Sequence, residues 1–190
     1  DPEIFKINNN HEKIYDLVFP MRYLEREENI DYFIRKNYDL VLPVINKLTE
    51  RGIRICVLGS GWHKCKKLSN RVKIVSITHD QTPFIYNQSK MAVCLSIEEG
   101  GPVGTIEALA CGCHVLTHKF GFANDLKKDL PYEIKIISFL KSNESYVQLI
   151  EQYINAYQFK YNENISDKLR DFEFESLSRI LLEINNKKSN

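Results

Sequence analysis

Met91-Ala-Val-Cys-Leu-Ser-Ile-Glu-Glu-Gly-Gly-Pro-Val-Gly-Thr-Ile-Glu-Ala-Leu-Ala-Cys-Gly-Cys-His-Val-Leu-Thr117 is the stretch on which the fold of this chain turns. An apolar run at 91–96 is long enough for one strand, and a second apolar run follows at 114–117. Between them Gly100, Gly101, Pro102 and Gly104 form a loop, and a short helix is predicted from about 104 to 111, with Gly112 as its C-terminal cap. Strand, glycine-rich loop, helix, strand is the repeating unit of a parallel sheet. Two acids, Glu99 and Glu107, bracket the loop eight residues apart. Glycines without Cβ atoms let a ligand approach the backbone closely. A helix start presents free N–H groups and a positive dipole end, which suits phosphate. Pro102 has no N–H and only shapes the turn.

Outward from this unit the same alternation continues. Apolar runs at Tyr15–Pro20, 53–58, 72–77 and 134–139 read as further strands. Helical spacing of Ile30, Phe33, Ile34, Val41, Ile45 and Leu48 fills 29–51, with Pro43 marking either a kink or the start of a second helix. Residues 82–89 form a short helix, 142–161 a longer one, and 165–184 a final amphipathic one. Strands apolar on both faces and separated by helices imply an α/β fold, a Rossmann-like parallel sheet of about six strands covered on each side. The division expected is a domain over 1–164 and a C-terminal helix in 165–190 that packs back on it or toward a further lobe. Ligands of such sheets bind beyond the carboxyl ends of the strands. The loops after Pro20, Leu58 and Ser96 fall there.

With 190 residues, 26 basic and 25 acidic side chains, the chain is expected to be one domain, or one lobe of a larger protein, with no electrostatic footprint for nucleic acid. Its five cysteines form no C-x-x-C pair, and Cys56 and Cys94 lie within strands, so a reduced intracellular protein is expected. No apolar run reaches membrane-spanning length and no targeting segment is visible. No His/Cys/Asp cluster has metal-ligand spacing.

Read from the residues alone, Glu107 either accepts hydrogen bonds from a vicinal diol such as a ribose or folds back to cap its own helix. Glu99 either points into the crevice or is a solvated loop acid. Gly59-Ser-Gly61 is either a phosphate turn or a plain one. His79 and His114, isolated in sequence, read as structural or surface groups, and Trp62 carries no assigned role.

The run Ser96-Ile-Glu98-Glu99-Gly100-Gly101-Pro102-Val-Gly-Thr-Ile-Glu107-Ala108-Leu-Ala110-Cys-Gly112 resembles the Glu-x7-Glu segment of retaining glycosyltransferases with the GT-B fold, family 4 above all. Gly101-Pro102 replaces that family's Phe-Gly pair. Four weaker matches occur in order: Asp1-Pro-Glu-Ile-Phe5, Val18-Phe-Pro-Met-Arg22, Val57-Leu-Gly59-Ser-Gly61, and Phe172-Glu-Phe174-Glu175 with Leu181-Leu182. The resemblance covers nearly the whole chain and only the C-terminal, donor-binding lobe of a two-lobe enzyme. It implies a nucleotide-sugar donor, UDP-sugar favoured and GDP-sugar the other option, with no further cofactor and no metal. Glu107 would bind the nucleotide ribose, and Glu99 would lie by the donor sugar and assist transfer. Gly101 and the backbone of Val103, Gly104 and Thr105 would receive the diphosphate. Arg22 would neutralise the leaving diphosphate, and Ile77 would lie near the base. The family has a lysine five or six residues beyond the arginine. Here Glu27 and Glu28 stand there, with Arg26 the nearest cation. The partners implied are a glycan, lipid or protein acceptor and an N-terminal lobe of the same enzyme, in the cytoplasm or at the periphery of a membrane.

Three functions are therefore open. The first is the donor-binding lobe of a retaining glycosyltransferase. The second is a non-catalytic nucleotide-sugar-binding or scaffold domain of the same fold, suggested by Glu27 and Glu28. The third is a nucleotide-sugar epimerase-like enzyme.

Overall fold

The structure, a computed structural model, describes residues 3–99, 103–119, 121, 123–158, 165 and 168–169. Six parallel strands form one sheet: β1 (Tyr15–Pro20), β2 (Ile55–Leu58), β3 (Lys73–Val75), β4 (Ser89–Cys94), β5 (His114–His118) and β6 (Ile134–Ile137). Their order is β3-β2-β1-β4-β5-β6. The connections place β1 beside β2 and β4, with Val18 level with both Cys56 and Ala92. The chain order therefore reverses between β1 and β4, and the crevice of such sheets opens there, beyond the carboxyl ends. All six expected strands are present. β3 is shorter than its apolar run and ends at Val75, which leaves Ile77 in the loop beyond it, 38% exposed.

Helices α1 (Ile30–Arg35), α2 (Tyr38–Glu50), α3 (Thr82–Asn87), α4 (Val103–Ala110), α5 (Ala123–Asp129) and α6 (Asn143–Asn155) cover the two faces. Strand side chains alternate between them. Leu17, Phe19, Ile55, Val57 and Met91 pack with Tyr38, Val41, Ile45 and Leu48 of α2 and with Tyr146, Val147 and Ile150 of α6. Val18, Cys56, Ala92 and Val115 pack on the other face with Ile85, Ala108, Leu109 and Leu126, joined by Ile165 and Leu169. Burial pushes the Cys56 and Cys113 thiols up to about 12, so they behave as small apolar groups.

The break within 29–51 falls at Asn37 and not at Pro43. Asn37 has φ 59°, the left-handed region that asparagine tolerates better than other side-chain-bearing residues. Pro43 sits inside α2, where its missing N–H forfeits a bond only to the carbonyl of exposed Asp39. α1 begins at Asn29, whose side chain accepts from Tyr32 N at 2.8 Å, and α6 begins at Ser142, which accepts from Ser145 N at 3.2 Å. α4 ends as expected at Gly112: Gly112 N donates to Leu109 O at 2.9 Å and Cys113 N to Ala108 O at 2.9 Å. α5 is an element that the sequence reading did not anticipate. Gly101, the bulk of the expected last helix and the Phe172–Leu182 motif lie outside the described residues. Among the described residues, no helix is long and apolar enough to cross a membrane.

At the amino end of the sheet, buried Asp16 joins three strands. Its carboxylate accepts from Arg54 N, Nε and Nη2, each at 3.0 Å, and from Lys90 Nζ at 2.7 Å. Burial raises its pKa, but the bonds from Arg54 and Lys90 outweigh burial and hold the carboxyl well below the usual range.

Candidate active site at the carboxyl edge of the sheet

Arg22 lies two residues beyond the end of β1, and the backbone around it is clamped on several sides. Trp62 Nε1 donates to Met21 O at 2.6 Å, the Tyr38 hydroxyl donates to Arg22 O, and Tyr23 N donates to Ser60 O at 2.8 Å. Trp62 is thus fully buried, in an aromatic cluster with Tyr23 and Tyr38. The Gly59-Ser-Gly61 turn is the other half of the clamp. A Cβ on Gly59 would stand 2.7 Å from Met21 O, and one on Gly61 would stand 2.1 Å from Tyr23 O. These glycines are needed for the close approach of two backbones, which gives the turn a structural reason independent of any phosphate.

The Arg22 guanidinium lies over the Tyr32 ring, 4.7 Å from its centroid. Lys36 Nζ and the Arg35 guanidinium lie 5.5 and 5.6 Å from the same centroid. Arg26 lies on the Phe33 ring, 5.5 Å from its centroid, and 3.9 Å from Asp39. Glu28, one of the two acids in place of the expected lysine, is tied to Lys64 at 2.6 Å.

Glu99 points inward, its side chain 10% exposed. Its Oε1 accepts from Lys36 Nζ and, at 2.9 Å, from Ser96 Oγ. The loop that carries it is fixed from two sides. Ile97 N donates to Arg35 O at 2.8 Å and Asn37 Nδ2 to Leu95 O at 2.9 Å, so the α1–α2 break is the dock for the β4–α4 loop. From β5, buried His118 bonds to Ser96 O through Nδ1 at 2.9 Å, and to Tyr146 Oη through Nε2 at 2.9 Å. The Ser96 carbonyl can only accept, so Nδ1 carries the proton and Nε2 accepts from Tyr146, which in turn accepts from Leu140 N at 3.1 Å. Burial holds His118 below its usual pKa, against the pull of the Ser96 carbonyl, which agrees with a neutral ring.

Glu107 lies in the second turn of α4, 12% exposed, and both of its oxygens meet side chains of other elements. Its Oε1 meets His79 Nε2 from the loop after β3, and its Oε2 accepts from the Tyr86 hydroxyl at 3.5 Å. Burial, then Glu107, pushes Tyr86 well above its usual pKa, so it remains a phenol. The His79 ring packs at a tilt of 50° on Phe5, 5.0 Å between centroids. The first turn of α4 holds Val103, 63% exposed, with Gly104 and buried Thr105. Gly104 lies so close to Pro20 and Tyr86 that a Cβ there would stand 3.1 Å from each, which sets the start of α4 against the end of β1.

Glu99, Glu107, Arg22 and the start of α4 therefore stand around one end of the sheet. Lys36, His79, Trp62 and His118 belong to the same surroundings; Lys36 and His118 escaped the sequence reading, while His79 and Trp62 were seen there without the roles that their contacts give them. Each acts through a partner tens of residues away, and a lone basic or aromatic residue carries no local signature of that. No group of three or more acids, histidines and cysteines could hold a metal ion among the described residues.

No curated protein matches this chain. Solved structures match its fold. Sucrose-phosphate synthase of Thermosynechococcus elongatus superposes on all of this chain and 51% of its own, with TM-score 0.68 and 16% identity. Anabaena HepE in complex with UDP does so over 100% of this chain and 55% of its own, with TM-score 0.61 and 15% identity. The C-terminal domain of a glycosyl transferase group 1 family protein from Francisella tularensis matches over 89% of this chain and 91% of its own, with TM-score 0.54 and 13% identity. The chain thus spans about half the length of the first two and nearly all of the third. Residues 9–171 match the family described as Glycosyl transferases group 1, and the chain belongs to that family.

Proposed function

We propose that this chain is the donor-binding lobe of a retaining glycosyltransferase. It binds a nucleotide sugar, UDP-sugar favoured over GDP-sugar, for transfer to a glycan, lipid or protein acceptor with the help of an N-terminal lobe. The observation that carries this reading is Glu107: a mostly buried carboxylate on α4 whose oxygens meet His79 from the loop after β3 and Tyr86 from α3. A carboxylate with two acceptor oxygens suits both hydroxyls of a ribose diol. Two readings of the residue were open in the sequence, and its contacts support the ligand-binding one.

The other roles follow from position. The N–H groups of Val103, Gly104 and Thr105, with Gly101 before them, would receive the diphosphate at the positive end of α4. Arg22 and Arg26 would oppose the charge that builds on the diphosphate as it leaves, a term of several kcal/mol in order of magnitude. Glu99 would face the departing sugar, and Ile77 the base. The acids that suggested a non-catalytic domain weigh less once Glu28 is seen paired with Lys64.

Titration calorimetry with UDP, GDP and ADP tests the reading. UDP is expected to bind, and Glu107→Ala to weaken it by about tenfold to a hundredfold, the loss of a charged hydrogen-bond acceptor. Binding of none of the three, or an unchanged affinity in the variant, refutes it.

A further inference from the structure

β4 ends at Cys94, and Leu95, Ser96 and Ile97 carry the chain out of the ladder toward Glu99. Their backbone groups are met from other elements. Leu95 O accepts from Asn37 Nδ2 and Ile97 N donates to Arg35 O, both at the α1–α2 break. Between them Ser96 O accepts from His118 Nδ1 at 2.9 Å, and His118 ends β5, the strand beside β4. Ser96 is 2% exposed, so its carbonyl has no bulk water to turn to if that bond is lost. The Ser96 hydroxyl bonds to Glu99 Oε1 at 2.9 Å. One buried serine thus meets the imidazole with its backbone and the Glu99 carboxylate with its side chain.

The position is a costly one for an imidazole. The residue is 1% exposed, and both ring nitrogens need partners. They find them in Ser96 O and, at 2.9 Å, in Tyr146 Oη, while the Phe139 ring packs against the imidazole with 4.2 Å between centroids. An apolar side chain would fill the same space without that desolvation cost. We propose that His118 is the positioning residue of Glu99: it holds the Ser96 carbonyl from β5, so that the Ser96 hydroxyl keeps the carboxylate in one place at the carboxyl edge of the sheet. The proposal rests on the donor reading above for what Glu99 does there. A reacting group misplaced by about 1 Å can cost on the order of a hundredfold in rate, and the bond to the neighbouring strand opposes such drift of the loop.

Asparagine and glutamine divide the two bonds of His118. In His118→Asn the amide nitrogen takes the place of Nδ1 and still donates to Ser96 O, while the bond to Tyr146 is lost. In His118→Gln the amide reaches the place of Nε2, and the bond to Ser96 is the one lost. The readout is the carboxyl carbon resonance of Glu99 in the ligand-free chain, assigned by its loss in Glu99→Gln. Ser96→Ala marks where that resonance goes once the hydroxyl is removed. His118→Gln is expected to move it most of the way to the Ser96→Ala position, and His118→Asn to leave it near the wild-type one. A resonance unmoved in His118→Gln or in Ser96→Ala overturns the proposal. So does movement in His118→Asn as large as in His118→Gln, which would make His118 a structural support and nothing more. Should the variants not fold, nitrogen NMR of the wild-type chain decides: a His118 proton on Nε2 overturns the proposal, and one on Nδ1 upholds it. Wild-type chain that binds no UDP, GDP or ADP refutes the donor reading alone, because the Glu99 resonance is read without ligand.

Discussion

Gly61→Ala tests the clamp behind Arg22, and Gly52→Ala supplies its control. Both glycines have nearly the same positive φ, 87° and 86°. Forcing alanine into that conformation costs about 1–2 kcal/mol in either place. They differ in their surroundings: a Cβ on Gly52 meets nothing within 4 Å, while one on Gly61 would lie 2.1 Å from Tyr23 O. Real Cβ atoms essentially never approach within 3.0 Å, so the Tyr23 backbone or the Gly61 turn must give by close to 0.9 Å. Tyr23 cannot yield freely, because its N–H is bonded to Ser60 and the carbonyls before it are held by Trp62 and Tyr38. Overpacking against such a site adds about 1–3 kcal/mol, so Gly61→Ala should lose about 2–5 kcal/mol in all. Urea unfolding followed by circular dichroism, with a common slope for both variants, reads the difference. Arg22 moves with Tyr23, so UDP affinity should fall further in Gly61→Ala than in Gly52→Ala. Equal stability of the two variants would refute the close approach, and equal UDP affinity would refute its link to Arg22.

Two further outcomes follow from groups outside the loop. Asp16→Asn should destabilise the chain by about 1–3 kcal/mol near neutral pH, since it removes a mostly buried acceptor from Arg54 and Lys90. The native pKa of Asp16 lies below its unfolded value, so this contribution is complete above about pH 4 and is lost as pH falls through the native pKa; urea midpoints of both proteins should converge on acidification, and a constant gap would contradict the assignment. Tyr146→Phe should cost about 1–3 kcal/mol by stranding Leu140 N–H and His118 Nε2, and nitrogen NMR should find His118 of the wild-type chain neutral with its proton on Nδ1; a proton on Nε2 would break the chain of bonds to Ser96.

Much of the fold was legible because parallel strands in the middle of a covered sheet leave continuous apolar runs, and the more exposed edge strand β3 still carries one, so all six were found. The left-handed break was misplaced because proline is a strong local signal. Asn37 adopts its conformation for long-range reasons, the bond from its side chain to Leu95 O among them. α5 escaped because seven residues containing Asn124, Asp125, Lys127, Lys128 and Asp129 carry a weak apolar stripe, with only Ala123 and Leu126 buried. In the site, the two glutamates were visible as a spaced pair on one loop. Their partners were not: Lys36 reaches Glu99 across 63 residues and His79 reaches Glu107 across 28. Glu27 and Glu28 drew attention as wrong charges, while Lys64, the cation that pairs with Glu28, lies 36 residues further along the chain.

The strand order also bears on how the chain is made. Five pairings close the sheet, and four of them join strands consecutive in sequence; β1 with β4 is the exception, joining residues 15–18 to 89–92. During synthesis, β1, β2 and β3 can pair as soon as they emerge, but the inner edge of β1 then waits for β4 with its backbone N–H and C=O groups unpaired. That edge strand is apolar over Leu17, Val18 and Phe19, which is the kind of surface that draws other chains into register. Arg22 stands on one side of this late seam and both loop glutamates on the other, so the nascent chain completes its riskiest pairing and its candidate site in the same step.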